Sequence, residues 1–332
     1  MSTPTSPRAN GHRTLVNRRR TTRGGTIEPV VTVDSLAKRY GAVTAVADVS
    51  LEVARGEIFG IVGPNGAGKT TTIEMMQGLR RPDGGIVRVL GLDPQRDVGE
   101  IRQRVGTQLQ NAVLPDRMKV WEALDLYAGY YARPADPTAL LDDWDLRDKR
   151  TAAFDSLSGG QRQRLFIALA LIGSPELVFL DELTTGLDPQ ARRRTWDHVR
   201  TIRDSGVTVV LVTHFMDEAE ALCDRIAVID GGHIAALDTP SVLANRVGPT
   251  RRVRFTAPDG FAPHWLADVA DVERVEQRGA TIVVTGTGPL LAHVATALAA
   301  HGAAPDDLTV ERANLEDAFL AITAPAATSR AF

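Results

Sequence analysis

The 332-residue chain has a single cysteine, Cys223, so no disulfide forms within it, and a reducing compartment suits it. Its surroundings, EAEALCDRIAVI, read as core and not as a nucleophile's setting. Lysine is scarce, with only Lys38, Lys69, Lys119 and Lys149, and aromatic residues make up 5%. Long apolar runs are missing as well. The longest candidate, Leu165 to Gly173, has nine residues, against about 20 for a membrane-spanning helix. The chain is therefore not expected to cross a bilayer by itself. No apolar segment follows Arg18-Arg19-Arg20, which argues against a secretion signal. What remains is ordinary for a globular protein, 43% hydrophobic and 24% charged, and long enough for one large domain plus a smaller one.

Charge is unevenly placed. Residues 1–28 hold six arginines and one acid, a net of +5, which leaves −8 on the rest of a chain whose total is −3. An acidic body argues against a broad nucleic-acid surface, and no nucleic-acid partner is expected. The basic tail is polar and aperiodic and reads as disordered, with contact to anionic lipid as the sharper alternative.

Along the body, strand-like and helix-like stretches alternate. VVTV, AVADVSLEV, IFGIV and residues 86–90 read as strands, a helix is predicted from Lys69 to about Leu79, and RPDGG is a turn. Residues 116–172 are mostly helical in pattern. ELVFL, VTVVLVT and RIAVID read as buried strands, with helices over RRRTWDHVRTIRDSG and MDEAEALC. This alternation predicts an α/β fold with a mainly parallel sheet. A boundary near 245–250 precedes a small α+β piece with strands at VRF, TIVVT and LTVER and helices over 288–301 and 314–322.

GPNGAGKT, residues 63–70, matches G-x-x-x-x-G-K-[ST] between a predicted strand and helix. Its glycines free main-chain N–H groups to wrap phosphates, and the helix N-terminus adds favourable charge. Lys69 supplies a point charge to the β- and γ-phosphates, and Thr70 a hydroxyl to Mg²⁺. The motif does not by itself separate ATPase, GTPase, kinase and helicase. LVFLDE ends in two acids at the carboxyl end of a buried strand, where ligands of open α/β sheets sit. Neighbours on extended backbone point to opposite sides. Asp181 is therefore assigned to the Mg²⁺ shell and Glu182 to the attacking water, as base or orienter. His214 ends VTVVLVTH in the same way and is placed near the γ-phosphate.

In LSGGQ, residues 157–161, Ser158 and Gln161 form a capping box at a helix start. The cap alone does not call for Gly159 and Gly160, which cost backbone entropy. Their presence implies that something approaches this backbone closely.

Together these segments resemble the ATP-binding cassette (ABC) family in order and spacing over residues 30–245. GPNGAGKTT looks like its phosphate loop, LSGGQ like its signature, LVFLDE like its second acidic strand, GLDP (186–189) like its D-loop, and THFMDEAE carries its switch histidine. Gln110 falls where the family places its Q-loop glutamine, with Gln108 the lesser choice, and Tyr40 where it stacks an aromatic ring on adenine. No N-K-x-D guanine motif accompanies them. VGTQLQNAVLPDRMKVWEAL, DRIAVIDGGHIAALDTP and NLEDAFLAITA are similar to ATPase subunits of bacterial drug and antibiotic exporters of the daunorubicin-resistance type.

The resemblance implies a P-loop ABC-ATPase core with an antiparallel β subdomain and a helical signature subdomain, plus a small C-terminal α+β accessory domain. It divides the chain into a basic tail (1–28), a nucleotide-binding domain (29–245) and an accessory domain (250–325). It implies ATP bound by Tyr40, Gly63, Pro64, Asn65, Gly66, Ala67, Gly68, Lys69, Thr70 and Thr71. From a second cassette, Ser158, Gly159, Gly160 and Gln161 would join it. Catalytic roles fall to Glu182, His214 and Gln110, and Mg²⁺ to Thr70, Gln110 and Asp181. A separate membrane permease, a second cassette, and a peripheral place at the cytoplasmic face of the cell membrane are implied too. A ribosome-associated cassette protein is the competing class, but it typically carries two cassettes or long coiled-coil insertions, and neither is present. The family's D-E-P-T reads Asp181-Glu182-Leu183-Thr184 here. Leucine restores an N–H and is expected to loosen Glu182, which puts the hydrolysis rate in question and keeps a slow regulatory ATP switch in view.

Overall fold

The computed structural model describes residues 28–108, 113–246, 251–257, 261–312 and 314–324, and the backbone of 21–22 and 25–26. Gln110, most of the basic tail and residue 250 lie outside the described residues.

A two-strand ribbon, β1 (Thr21–Thr22) and β2 (Gly25–Thr26), comes first. The body then runs β3 (Val31–Tyr40), β4 (Val43–Val53), β5 (Ile58–Val62), α1 (Lys69–Met76), β6 (Gly84–Val89), α2 (Val98–Arg104) and β7 (Val105–Gln108). Next come α3 (Val120–Ala128), α4 (Pro137–Asp143), α5 (Gly159–Leu171), β8 (Leu177–Asp181) and α6 (Pro189–Asp204). It closes with β9 (Thr208–Val212), α7 (Met216–Leu222), β10 (Arg225–Asp230), β11 (His233–Asp238) and α8 (Pro240–Asn245).

These strands form one nine-stranded sheet in the order β6-β3-β4-β11-β10-β5-β9-β8-β7. From β10 through β7 every pairing is parallel, as the alternation of elements predicts. At the other end β3 pairs antiparallel with β4 and β6. Strand alternation divides the core in two. Ile58 and Val62 of β5, Val178 and Leu180 of β8, and Val209 and Leu211 of β9 face the helices that carry the signature segment. Phe59, Ile61, Phe179, Val210 and Val212 face α1 and the antiparallel strands. A strand buried on both faces shows no polar alternation, which is why IFGIV, LVFL and VTVVLV are unbroken apolar runs.

Residues 251–324 build a second sheet from β12 (Arg251–Thr256), β13 (Val272–Arg278), β14 (Thr281–Gly286) and β15 (Thr309–Arg312), in the antiparallel order β13-β14-β12-β15. Val253, Phe255, Ile282 and Val284 pack with Leu290, Val294 and Leu298 of α9 (Leu290–Ala300) in a separate apolar cluster. The final helix, α10 (Leu315–Thr323), leaves that cluster, and its Leu315 is buried in the core of the large sheet.

Candidate functional site

The carboxyl ends of β5, β7, β8 and β9 lie along one edge of the sheet, because these strands are parallel and in register. That edge collects the predicted residues. After β5 the loop passes through two glycines in the left-handed region, Gly66 at φ 79° and Gly68 at φ 101°. A Cβ on Gly68 would lie 2.2 Å from the Ala45 carbonyl oxygen, and one on Gly63 2.1 Å from that of Ile229. Only glycine lets this loop lie so close to β4 and β10. Lys69 opens α1 and is 9% exposed; its ammonium donates to the carbonyls of Gly63 (2.8 Å) and Pro64 (2.9 Å). Burial lowers its pKa, opposed by the charges of Glu182 and Asp181. Thr70 is exposed and Thr71 half-buried.

Asp181 ends β8. Burial, then the neighbouring Glu182 carboxylate, raise its pKa from 3.8 to about 6, against the pull of Lys69. A carboxyl this reluctant to ionise gains from a cation beside it. Hard oxygen donors such as Asp181 and the Thr70 hydroxyl suit Mg²⁺. No cluster of three or more His, Cys, Asp or Glu that could cage a metal occurs among the described residues. That donor set fits an ion that keeps waters and phosphate oxygens in its shell.

Glu182 has φ 50°, a left-handed conformation that costs a non-glycine residue about 1 kcal/mol. Its N–H donates to the Val212 carbonyl (2.9 Å), and the next side chain, Leu183, is fully buried in the apolar cluster. Leu183 thus pins the turn, where the sequence suggested loosening. Proline here would push Glu182 toward extended backbone, away from this φ. His214 lies with Nδ1 3.3 Å from Glu182 Oε1. Gly63, Pro64, Asn65, Glu182 and His214 line one cavity of about 480 Å³, and Phe319 of α10 is its sixth wall.

Tyr40 stands apart from that cavity at the end of β3. Its ring is 40% exposed and flanked by the cations of Arg80 (5.2 Å) and Lys38 (5.8 Å). The signature segment is also separate. Ser158 caps α5 reciprocally with Gln161, its N–H donating to Gln161 Oε1 (2.9 Å) and its Oγ accepting from the Gln161 N–H (3.4 Å). A Cβ on Gly159 would meet nothing within 4 Å, and one on Gly160 only side-chain atoms at 3.9 Å. Among the described residues no neighbour requires either glycine. Asp188 of GLDP caps α6, accepting from the N–H groups of Gln190 and Ala191 (both 2.9 Å).

Two further polar groups reach this edge. Gln108, at the end of β7, accepts from the Asp181 N–H through Oε1 (3.3 Å) and is buried. Glu218 of α7 is fully buried, and its Oε1 accepts from Trp196 Nε1 (3.1 Å); burial raises its pKa. Its signal in the sequence was an acid on the same helical face as Leu222, an apolar stripe where a charge needs a partner.

The ABC transporter family matches residues 46–185. The chain is 37% identical over 304 residues to the daunorubicin resistance ATP-binding protein DrrA3 of Streptomyces coeruleorubidus, covering 89% of this chain and 96% of that one. It is 40% identical over 304 residues to the Nod factor export ATP-binding protein I of Ralstonia nicotianae, covering 89% and 94%. A solved structure of the ATP-binding subunit of an ABC transporter superposes with a TM-score of 0.60 at 27% identity, over 65% of this chain and 92% of that one.

Proposed function

Since the chain belongs to the ABC transporter ATP-binding family, we propose that it powers export of a drug, antibiotic or related hydrophobic compound through a separate membrane permease. That it is an ATP-binding, ATP-hydrolysing transporter subunit follows from the family. Export and cargo class are extended from the names of the two relatives. The observation that carries the ATPase reading is the meeting of the phosphate loop, Asp181, Glu182 and His214 at one sheet edge.

In this reading the N–H groups of residues 65–71 and the Lys69 ammonium hold the triphosphate, and Tyr40 stacks on adenine. Thr70, Asp181 and Gln110 would hold Mg²⁺, which would supply charge neutralisation to the phosphates. Glu182 orients the attacking water and accepts its proton, and His214, within 3.3 Å, steadies that carboxylate and reaches the γ-phosphate. Open space at Gly159 and the absence of any close contact at Gly160 support a site completed by another cassette, whose Ser158, Gly159, Gly160 and Gln161 would approach the γ-phosphate. The long 3.4 Å bond from Ser158 Oγ to its cap is then readily exchanged for a phosphate oxygen.

Residues 29–245 are the nucleotide-binding domain, 250–325 the accessory domain and 1–28 a basic tail. No helix among the described residues is long and apolar enough to cross a membrane; in this reading a permease partner would hold the chain at the cytoplasmic face of the cell membrane. Affinity purification from a membrane extract tests this: recovery with an integral-membrane partner is expected, and recovery with ribosomes would overturn the transport reading.

A further inference from the structure

We infer that Phe319 is a positioning residue of the ATP site, so that the appended C-terminal unit takes part in hydrolysis within its own subunit. The inference rests on the reading of the Glu182–His214 cavity as the γ-phosphate site. Four observations carry it.

First, α10 is rigidly started. Asn314 Oδ1 accepts from the Asp317 N–H (2.9 Å), Asp317 Oδ2 accepts from the Asn314 N–H (3.2 Å), and Arg252 of β12 donates to Asp317 Oδ1 (2.6 Å). Second, one face of the helix, Leu315, Phe319 and Ile322, recurs at helical spacing and packs against the core of the large sheet. Leu315 is 1% exposed and shares its cluster with Leu183, Met216, Ala219 and Leu222. Third, the Leu315 N–H donates to Glu220 Oε2 (3.4 Å) on α7, the helix that begins directly after the His214 turn. Fourth, Phe319 lines the cavity together with Gly63, Pro64, Asn65, Glu182 and His214. Its neighbour Leu320 points away and is 60% exposed.

An apolar ring lining the same cavity as a carboxylate and an imidazole keeps bulk water off its side of that cavity. Fewer waters then compete for Glu182, and the attacking one is better oriented. The groups that hold ATP, Lys69 and the loop N–H groups, belong to other elements. Removing the ring should therefore slow turnover and leave ATP binding alone.

The test uses the full chain. In steady-state ATP hydrolysis, Phe319→Ala should lower kcat about tenfold with KM for ATP within about twofold. Phe319→Leu should restore most of the rate, and Leu320→Ala should match wild type. Phe319→Trp gives a readout independent of activity. Its emission should differ between ADP and a non-hydrolysable ATP analogue by more than the four native tryptophans account for. Wild-type kcat in Phe319→Ala, a loss of thermal stability alone, or identical emission with both nucleotides overturns the inference while leaving the ATP site intact. A wild-type chain that neither binds nor hydrolyses ATP would instead remove the site reading and this inference with it.

Discussion

Replacing Asp181 with asparagine should stabilise the nucleotide-free protein, and increasingly so as the pH rises. In the folded chain the carboxyl ionises near pH 6 instead of 3.8, because burial and the Glu182 carboxylate outweigh the attraction of Lys69. A folded-state value above the unfolded one means that folding is favoured by the protonated form. This contribution is fully present below the unfolded value, shrinks through the interval, and is gone once the pH passes about 6. The rise corresponds to about 3 kcal/mol before screening, and solvent access to the half-buried carboxyl reduces it to about 1–2 kcal/mol. Roughly half of that develops above pH 5, so the advantage of Asp181→Asn over wild type should grow by about 0.5–1 kcal/mol between pH 5 and pH 8. With an unfolding entropy of about 0.7 kcal/mol/K for a chain of 332 residues, that is about 1 °C in Tm. The assay is thermal unfolding in EDTA, with both proteins followed across that range. A gap that does not widen with pH, or a variant less stable at pH 8, would refute the electrostatic account. Function should move the other way, with Mg²⁺-dependent hydrolysis lost, as expected where a site keeps strained charge for its ligand.

Lys69→Ala should abolish ATP binding or hydrolysis, and retention of both in an equilibrium-binding and phosphate-release assay would remove the phosphate-loop assignment. Glu182→Gln should still bind ATP but accumulate as a closed dimer on size-exclusion chromatography with MgATP; hydrolysis at the wild-type rate would exclude Glu182 as base. Leu183→Pro should change turnover more than ATP affinity, because it forces Glu182 out of its left-handed conformation. Losing the buried leucine should also cost about 2 kcal/mol in urea unfolding; unchanged turnover would contradict the link between that turn and catalysis.

Much of the site edge was legible because strand ends are marked in the sequence. IFGIV, LVFL and VTVVLV are apolar on both faces, so the break in each run marks its end, and parallel pairing brings those ends together. Legibility fell where local pattern was weak. DSLAKRY did not read as strand, yet β3 continues through it, held by irregular register against β4 and β6. VERVEQR alternates little and became β13 only by pairing with β14. The helix over residues 98–104 spans two turns, too short for periodicity to show.

Local chemistry along the chain determined the phosphate loop, the paired acids, the switch histidine and the capped signature helix, since each depends on residues a few positions apart. The tertiary structure alone decided the rest. Leu183 anchors the turn that aims Glu182, Gln108 accepts from the Asp181 N–H, and Phe319 of the last helix lines the cavity. Each of these is a contact between segments distant in the chain, made by packing that no short stretch of sequence encodes.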